Sequence, residues 1–505
     1  MAFPLVGFII ATALLAWYIL QAKKKNKSKL GNLKEIPGPK GLPFIGNVLQ
    51  LGKFANDQFT KWSKEYGPIY KVHLGSQMVV IISDPKMSKE IFTHDPAFAG
   101  RPKIEGTDVY LEQPGVGMFS SEGDLWETHR RFLLRQLRDF GFGKSSMETL
   151  IMDEVNEVLE TFKKQEGKPV KNVRVSLRLA IVNALWTILS SQRFKHDDPK
   201  LSQLTDSAIN TFNDIFENGS LIIFMPWLRY VLPEYSGFNA IRRVVDQFKN
   251  FLEGTVKEHK ESLQEENLKD FIDVYLAEMK KAKDETSHFY GIKAERQLVA
   301  TMFDMFIAGS ESSATTLSWT IVYLCKFPEV QKKVQQEIEA VTGNERQVSV
   351  NDRPNMPYTL ALVDEILRHS SLVPDGAQHR AMAEREFQGY RIPENAWIQP
   401  NLYWMHHDPK IWGDPENFRP ERFLSKDGKK YVKSENMQAF MVGRRVCVGE
   451  TLARDNIFLF LTNIFQKFDI KFDPSVKEPS LDTIPGFFRS PGDYQVIMKD
   501  RLVSK

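Results

Sequence analysis

Cysteine is nearly missing: 505 residues contain two, Cys325 and Cys447. So small a number excludes a disulfide framework and fits a reducing compartment. Also missing is any long Ser/Gly-rich or Pro-rich linker between residues 50 and 490. Nothing therefore cuts that stretch into separate domains, although length alone would allow about three. Neither charge sign dominates. Lys and Arg number 67 against 64 Asp and Glu, a formal net charge of +3, which lacks the basic excess of a nucleic-acid binder. There is no internal repeat, and no low-complexity tract beyond one lysine cluster. What is present is apolar surface: 42% hydrophobic and 11% aromatic residues, among them 35 Phe. That is enough to bury a large core and still line a ligand pocket, so disorder is excluded as the main state.

Charged side chains are absent from Met1 to Ala22, and Phe3–Leu20 is almost unbroken apolar sequence, close to the length a helix needs to cross a bilayer. Lys23, Lys24, Lys25, Lys27 and Lys29 follow. A cleaved secretory signal carries its positive charge ahead of a shorter apolar core, so residues 1–22 are expected to form a retained single-pass anchor. Basic residues stay on the cytoplasmic side. The body is then cytosolic, and the sequons at Asn26 and Asn218 are expected to be unmodified. Residues 23–46 read as a basic stop and a Pro-rich hinge, since Pro37-Gly38-Pro39-Lys40-Gly41-Leu42-Pro43 can be neither helix nor central strand. Residues 47–505 form the remaining domain.

Most of that body has helical spacing of apolar residues, as in Val155, Val158, Leu159 and Phe162, or Val299, Phe303, Phe306 and Ile307. Ile69–Leu74, Gly75-Ser76 and Met78–Ile82 read as a hairpin. Short strands are also expected near Ala396–Gln399 and Tyr494–Met498. The fold class is mainly α with a small β-sheet, an α+β body.

Cys325 lies in the apolar stretch Thr320–Phe327 and reads as a small buried hydrophobe. Cys447 keeps different company. The run Phe440-Met441-Val442-Gly443-Arg444-Arg445-Val446-Cys447-Val448-Gly449-Glu450 sets Phe, Gly, Arg, Cys and Gly at fixed spacing. Glycines let a loop pass close to a flat macrocycle and adopt positive φ, Arg445 suits a propionate, and Phe440 suits the side of a ring. Leu452, Ile457, Phe458 and Leu461 continue as a helix, so Cys447 precedes a helix start whose free N–H groups favour a thiolate. At average residue usage such a pattern arises in a chain of this length roughly once in ten thousand.

Phe440, Gly443, Arg445, Cys447 and Gly449 resemble the haem-binding signature of the cytochrome P-450 superfamily. The resemblance covers almost the whole chain, from anchor and Pro-rich segment to cysteine loop. Within the superfamily, Trp126–Gly143 looks most like arthropod members of the microsomal family-two clan. It implies haem b buried between two long helices of one helical domain, with Cys447 as the iron's thiolate ligand, which favours O–O cleavage. It further implies that Trp126 and Arg130, at i and i+4 on one helical face, contact a haem propionate together with His379. Glu365 and Arg368, with Arg422 of the Pro420-Glu421-Arg422-Phe423 run, are similar to the family's structural triad.

Phe306-Ile307-Ala308-Gly309-Ser310-Glu311-Ser312 lies in a long apolar segment, where small residues leave room for a diatomic molecule. Oxygen activation needs protons delivered within hydrogen-bond reach, and Glu311 and Ser312 are the expected relay. The family usually has Thr where Ser312 stands, so the hydroxyl is kept and the methyl that restricts its rotamer is lost. Leu221–Leu228 is a second apolar patch, too short to span a bilayer. In microsomal relatives the matching region dips into it. Arg130, Arg131, Arg135, Arg138 and Arg444 are expected to form a basic face for an acidic flavoprotein partner.

The implied activity is insertion of one oxygen atom from O2 into a lipophilic small molecule. Electrons come from NADPH through a separate NADPH-cytochrome P-450 reductase, with cytochrome b5 as a further donor that the resemblance allows. The implied location is the endoplasmic reticulum membrane. Competing readings are a haem-thiolate isomerase or dehydratase, against which Glu311 and Ser312 argue, and a non-catalytic haem sensor, for which no signalling domain is present. Sesquiterpenoids, steroids, fatty acids and foreign compounds are not distinguished by the sequence.

Overall fold

The computed structural model describes residues 33–52, 54–103, 115–171, 173–195, 198–217, 221–481, 483–484 and 488–501. The expected anchor at 1–22, the lysines after it, Asn26, Asn218 and residues 104–114 lie outside the described residues.

Helices dominate, as the apolar spacing requires. Those that position the site are α1 (Ala55–Tyr66), α2 (Gly123–Asp139), α3 (Val173–Ser190), α4 (Pro199–Glu217), α5 (Phe238–Ser262), α6 (Phe271–Lys281), α7 (Gly291–Lys326), α8 (Pro357–Ser370) and α9 (Glu450–Lys467). The main sheet contains β1 (Ile69–Leu74), β2 (Gln77–Ile82), β3 (His379–Arg380) and β4 (Trp397–Pro400), in the order β1-β2-β4-β3. β1 and β2 form the expected hairpin, β2 runs parallel to β4 with Val80 opposite Ile398, and β3 is antiparallel to β4. A smaller sheet places Gln495–Asp500 between Pro169–Lys171 and Phe468–Phe472.

The Pro-rich segment expected to stand apart as a hinge is docked on this body. The Pro37 carbonyl accepts from Lys71 N (2.8 Å), Lys34 N donates to Gly389 O (3.1 Å), and Ile36 is buried beside Ile69, Val80 and Ile392. Proline lacks an N–H but keeps its carbonyl, so the segment can lie along a sheet edge as an acceptor.

α7 is the central helix. Its buried positions run on every side, and α3 is likewise apolar all round, as helices enclosed by others must be. Among the described residues α3 is the one helix long and apolar enough to cross a membrane, but it is a core helix packed on α7. Gly309 permits this packing: a Cβ there would lie 2.5 Å from Leu185 Cδ2 of α3. Trp186, Phe251, Phe248 and Phe306 then join α3, α5 and α7, with centroids of Trp186 and Phe306 5.5 Å apart and of Phe248 and Phe306 5.4 Å apart. Each such side chain contributes about 1.5–3 kcal/mol through burial.

The expected triad is formed. Arg368 grips Glu365 through Nε (2.7 Å) and Nη2 (2.9 Å), both residues are fully buried, and Arg422 Nε adds a third contact to Glu365 (3.1 Å). Arg368 Nη1 reaches the His406 carbonyl (2.8 Å) and Arg422 Nη1 that of Trp412 (2.9 Å). Removing one member strands a buried charge at a cost of about 3–5 kcal/mol.

A second buried ion pair joins α5 to α6. His259 Nε2 lies 3.0 Å from Asp270 Oδ2 and Nδ1 lies 2.8 Å from the Thr255 carbonyl. With acceptors at both nitrogens the ring is held as imidazolium. Burial opposes the charge, but Asp270, the Thr255 carbonyl and Asp273 outweigh it and raise the pKa from 6.5 to about 9. A folded value above the unfolded one stabilises fully below the unfolded pKa, and the gain is lost as pH rises through the folded one. Allowing for solvent screening, the gain is roughly 1–2 kcal/mol. His259→Gln should therefore be less stable than wild type in urea melts near pH 6 and match it above about pH 10; a constant gap across that range contradicts the assignment.

Candidate active site

The loop before α9 closes on itself, with Cys447 N donating to Phe440 O (3.0 Å) and Val446 N to Gly443 O (3.1 Å). Gly443 has φ 81°, and a Cβ there would lie 2.1 Å from the Phe92 carbonyl, which also accepts from Arg444 N (3.0 Å). Backbone contact thus requires this glycine. Gly449, at the N-cap of α9, meets nothing within 4 Å where its Cβ would be. The space beside it is open. Cys447 faces open space too, yet burial pushes its thiol above the ordinary value. The Gly449 N–H pulls it down, Glu450 pushes it up and Arg130 pulls it down. The sulfur is thus surrounded by protein and still accessible.

A stripe of α7 is open as well. Ala308 is exposed although Phe306 and Ser310 are buried, and Asp304 and Ser312, one turn to either side, are half-buried. The small residues divide their roles: Ala308 faces the opening, whereas Gly309 serves the contact with α3. The open surface of this small-residue step therefore lies at Ala308 rather than at the glycine. Ser312 Oγ donates to the Ala308 carbonyl (2.7 Å), leaving its lone pairs free to accept.

Three guanidiniums gather at the edge of the site. Arg445 donates to the carbonyls of Ala99 (2.9 Å) and Ser121 (2.6 Å), and its Nη1 is buried without a partner. Arg130 donates to the Val446 carbonyl (2.5 Å), and Arg101 to those of Phe119 (3.1 Å), Ala377 (3.2 Å) and Gln378 (2.7 Å). Every one of these acceptors is a main-chain carbonyl. Burial and the mutual repulsion of Arg101, Arg130 and Arg445 push the Arg445 pKa down to about 8, with Glu122 opposing; burial and Arg130 push that of Arg101 to about 10. Arginine does not shed its proton in proteins, so the depression reflects burial first and the crowding of like charges second, with Glu122 and Asp304 offsetting it in part. Trp126 lies under two of the three, 4.0 Å from Arg445 and 5.7 Å from Arg130. His379 joins them: Nδ1 meets the Phe98 carbonyl (2.7 Å), Nε2 has no partner, and burial and the nearby Arg101 hold the ring well below its usual pKa.

Comparison with known proteins gives the family. The family model for Cytochrome P450 matches residues 36–498. The chain belongs to the cytochrome P450 family. It is 34% identical to "Cytochrome P450 2L1" of Panulirus argus over 92% of this chain and 94% of that one. Identity is 34% to "Cytochrome P450 18a1" of Drosophila melanogaster, with 98% and 91% covered, and 31% to "Farnesoate epoxidase" of Bombyx mori, with 99% and 100% covered. As a cytochrome P450 the protein is a haem-thiolate monooxygenase with a mainly helical fold.

The residues present fit haem. An uncompensated cluster of three cations, an orphaned Arg445 Nη1 and an orphaned His379 Nε2 call for a group with two carboxylates. The open space at Gly449 and Cys447 calls for a flat body beside the thiol. The cytochrome P450 site also holds residues that motif reading missed. Arg101 carries as much of the charge as Arg130, and its only signal was a Gly100-Arg101-Pro102 step. Asp304 shares the open stripe; burial pushes its carboxyl up to about 7, while the N–H groups of Phe119 (2.8 Å) and Met118, and Arg101, pull it down. Gln297, two turns earlier, holds Gly117 from both its N–H (2.8 Å) and its carbonyl (3.2 Å). The single turn Gly117–Ser120 is thus slung from α7 by two side chains.

Glu311 points elsewhere. It is buried on the α3 side, accepting from Arg174 (2.9 Å), Arg178 (3.4 Å) and Thr315 Oγ1 (3.0 Å), and Arg178 also pairs with Asp206 of α4. Arg101→Gln tests the fit to haem, because a charge-assisted contact to a propionate would be worth about 1.5–3 kcal/mol, or roughly 10- to 150-fold in an equilibrium. Haem transfer to an apo-globin acceptor should accelerate by at least the lower figure; transfer at the wild-type rate removes Arg101 from the cradle.

Proposed function

We propose that this cytochrome P450 inserts one atom of O2 into a lipophilic small molecule, using NADPH electrons passed on by a separate reductase. Bound haem b supplies the oxygen-activating iron. Cys447 is its thiolate ligand, Gly449 and Phe440 make room for and pack beside the ring, and Gly443 shapes the loop. Trp126, Arg130, Arg445 and His379, joined by Arg101, hold the propionates. What supports this reading is an accessible Cys447 thiol just before α9 together with an open Asp304–Ala308–Ser312 stripe on α7. That stripe offers a small side chain and the Ser312 hydroxyl for handling oxygen.

Ser312 and Glu311 move the protons. Ser312 Oγ can pass its proton outward and recover one from ordered water. Glu311 is the reservoir behind it, and its carboxylate turns toward the site only after letting go of Arg174, whose side chain is one-third exposed. That clamp is the one feature favouring a peroxide-rearranging isomerase, which needs no proton supply. Turnover separates the two: product formation should require NADPH, reductase and O2 together. In that assay Ser312→Ala is expected to raise peroxide released per NADPH consumed, and unchanged coupling would take Ser312 out of the relay.

The basic face for the reductase is smaller than the sequence suggested. Arg131, Arg135 and Arg138 are exposed on α2, but Arg130 turns inward to Val446 and Arg444 pairs with Glu127 (2.5 Å). Arg131 also leans on Glu127 (3.2 Å), so Arg135 and Arg138 carry most of the support for docking of an acidic flavoprotein that weakens with salt, and cytochrome b5 would use the same face.

Location at the endoplasmic reticulum membrane, with the body cytosolic, rests on the anchor and on a displaced apolar patch. Within Leu221–Leu228, Ile222 and Leu228 are buried. Exposure is concentrated at its end and just beyond, at Trp227 (58%), Tyr230 (75%), Val231 (64%), Leu232 (48%) and Tyr235 (72%), an aromatic-rich surface suited to a lipid interface. An environment-sensitive dye attached through Tyr230→Cys in the full-length protein should report an apolar setting in bilayers; water-like emission there would contradict lipid contact.

A further inference from the structure

Behind the cysteine loop lies an ion network that the haem contacts do not use. Arg454, at the second turn of α9, donates from Nε to Glu450 Oε1 (3.0 Å) and from Nη1 to Asp364 Oδ1 (2.8 Å). Asp364 is fully buried on α8, and its other oxygen accepts from Tyr431 Oη. The Arg454 guanidinium also lies 5.0 Å over the Phe440 ring, and the Phe440 carbonyl accepts the Cys447 N–H (3.0 Å). Glu450 is three residues beyond Cys447, and its charge opposes a negative sulfur. Two carboxylates thus share one guanidinium beside the metal ligand.

We infer that Glu450 and Arg454 set the reduction potential of the haem iron, with Arg454 as a positioning residue that cancels the Glu450 charge and steadies Phe440. The inference rests on Cys447 being the iron's ligand. The step concerned is the transfer of one electron from the reductase to ferric iron, in which no bond forms or breaks. The added negative charge is repelled by a bare carboxylate and favoured by a neighbouring cation, and in a low-dielectric interior both effects are stronger than in water. Arg454 keeps Glu450 from being bare. Its fork reaches Glu450 through Nε and Asp364 through Nη1.

The test is a spectroelectrochemical titration of full-length holoprotein, with a reduced carbon monoxide difference spectrum recorded for each variant. Arg454→Gln should shift the potential to more negative values, Glu450→Gln to more positive values, and the double variant should return close to wild type. Glu450 is partly exposed, so Glu450→Gln is expected to fold; if Arg454→Gln yields no holoprotein, the positive shift of Glu450→Gln alone supports the inference. Unmoved potentials overturn it. So does a double variant that keeps the whole shift of Arg454→Gln, since that describes packing rather than charge. A wild-type spectrum without a thiolate band would overturn the ligand reading, and this inference with it.

Discussion

The structure is organised around positive charge that the polypeptide does not neutralise. Arg101, Arg130 and Arg445 come from three separate stretches of chain, are held by main-chain carbonyls, and leave at least one guanidinium nitrogen and one imidazole nitrogen unsatisfied. Burying such groups costs several kcal/mol unless a counter-charge arrives. The fold supports them with networks complete in themselves: the fully buried Glu365–Arg368 pair with Arg422, and the Arg454 fork. The completed networks set the scaffold, and the incomplete one defines what must bind.

A division of labour along α7 follows. One face packs so closely on α3 that a Cβ at 309 would lie 2.5 Å from Leu185 Cδ2, while the stripe at Asp304, Ala308 and Ser312 stays open. The acid next to the open stripe is turned the other way and clamped by Arg174 and Arg178. Glu311 is thus held by ion pairs between helices, and through Arg178 and Asp206 that clamp reaches the helix α4.

Much of this was legible in the sequence where the chemistry is local. The cysteine loop, the hairpin and the Glu365–Arg368 pair are short-range patterns, and their spacing states their geometry. Long-range partners were not legible. Arg101 looks like any loop arginine until the fold brings residues 377 and 378 to it. Glu311 reads as a relay acid from its neighbours alone, but its orientation depends on two arginines more than a hundred residues away. The apolar patch was displaced by a few residues because hydrophobicity marks a segment, whereas exposure depends on which of its turns packs against the sheet. Arg130 and Arg444 share the composition of a basic face, yet one faces the core and the other is already paired.

All of these assignments require that the open thiol before α9 bind iron. The most direct measurement is the reduced carbon monoxide difference spectrum of the full-length protein beside that of Cys447→Ser. The account predicts a thiolate-type band in the wild type that is lost on substitution. A Cys447→Ser protein that keeps that band would contradict it.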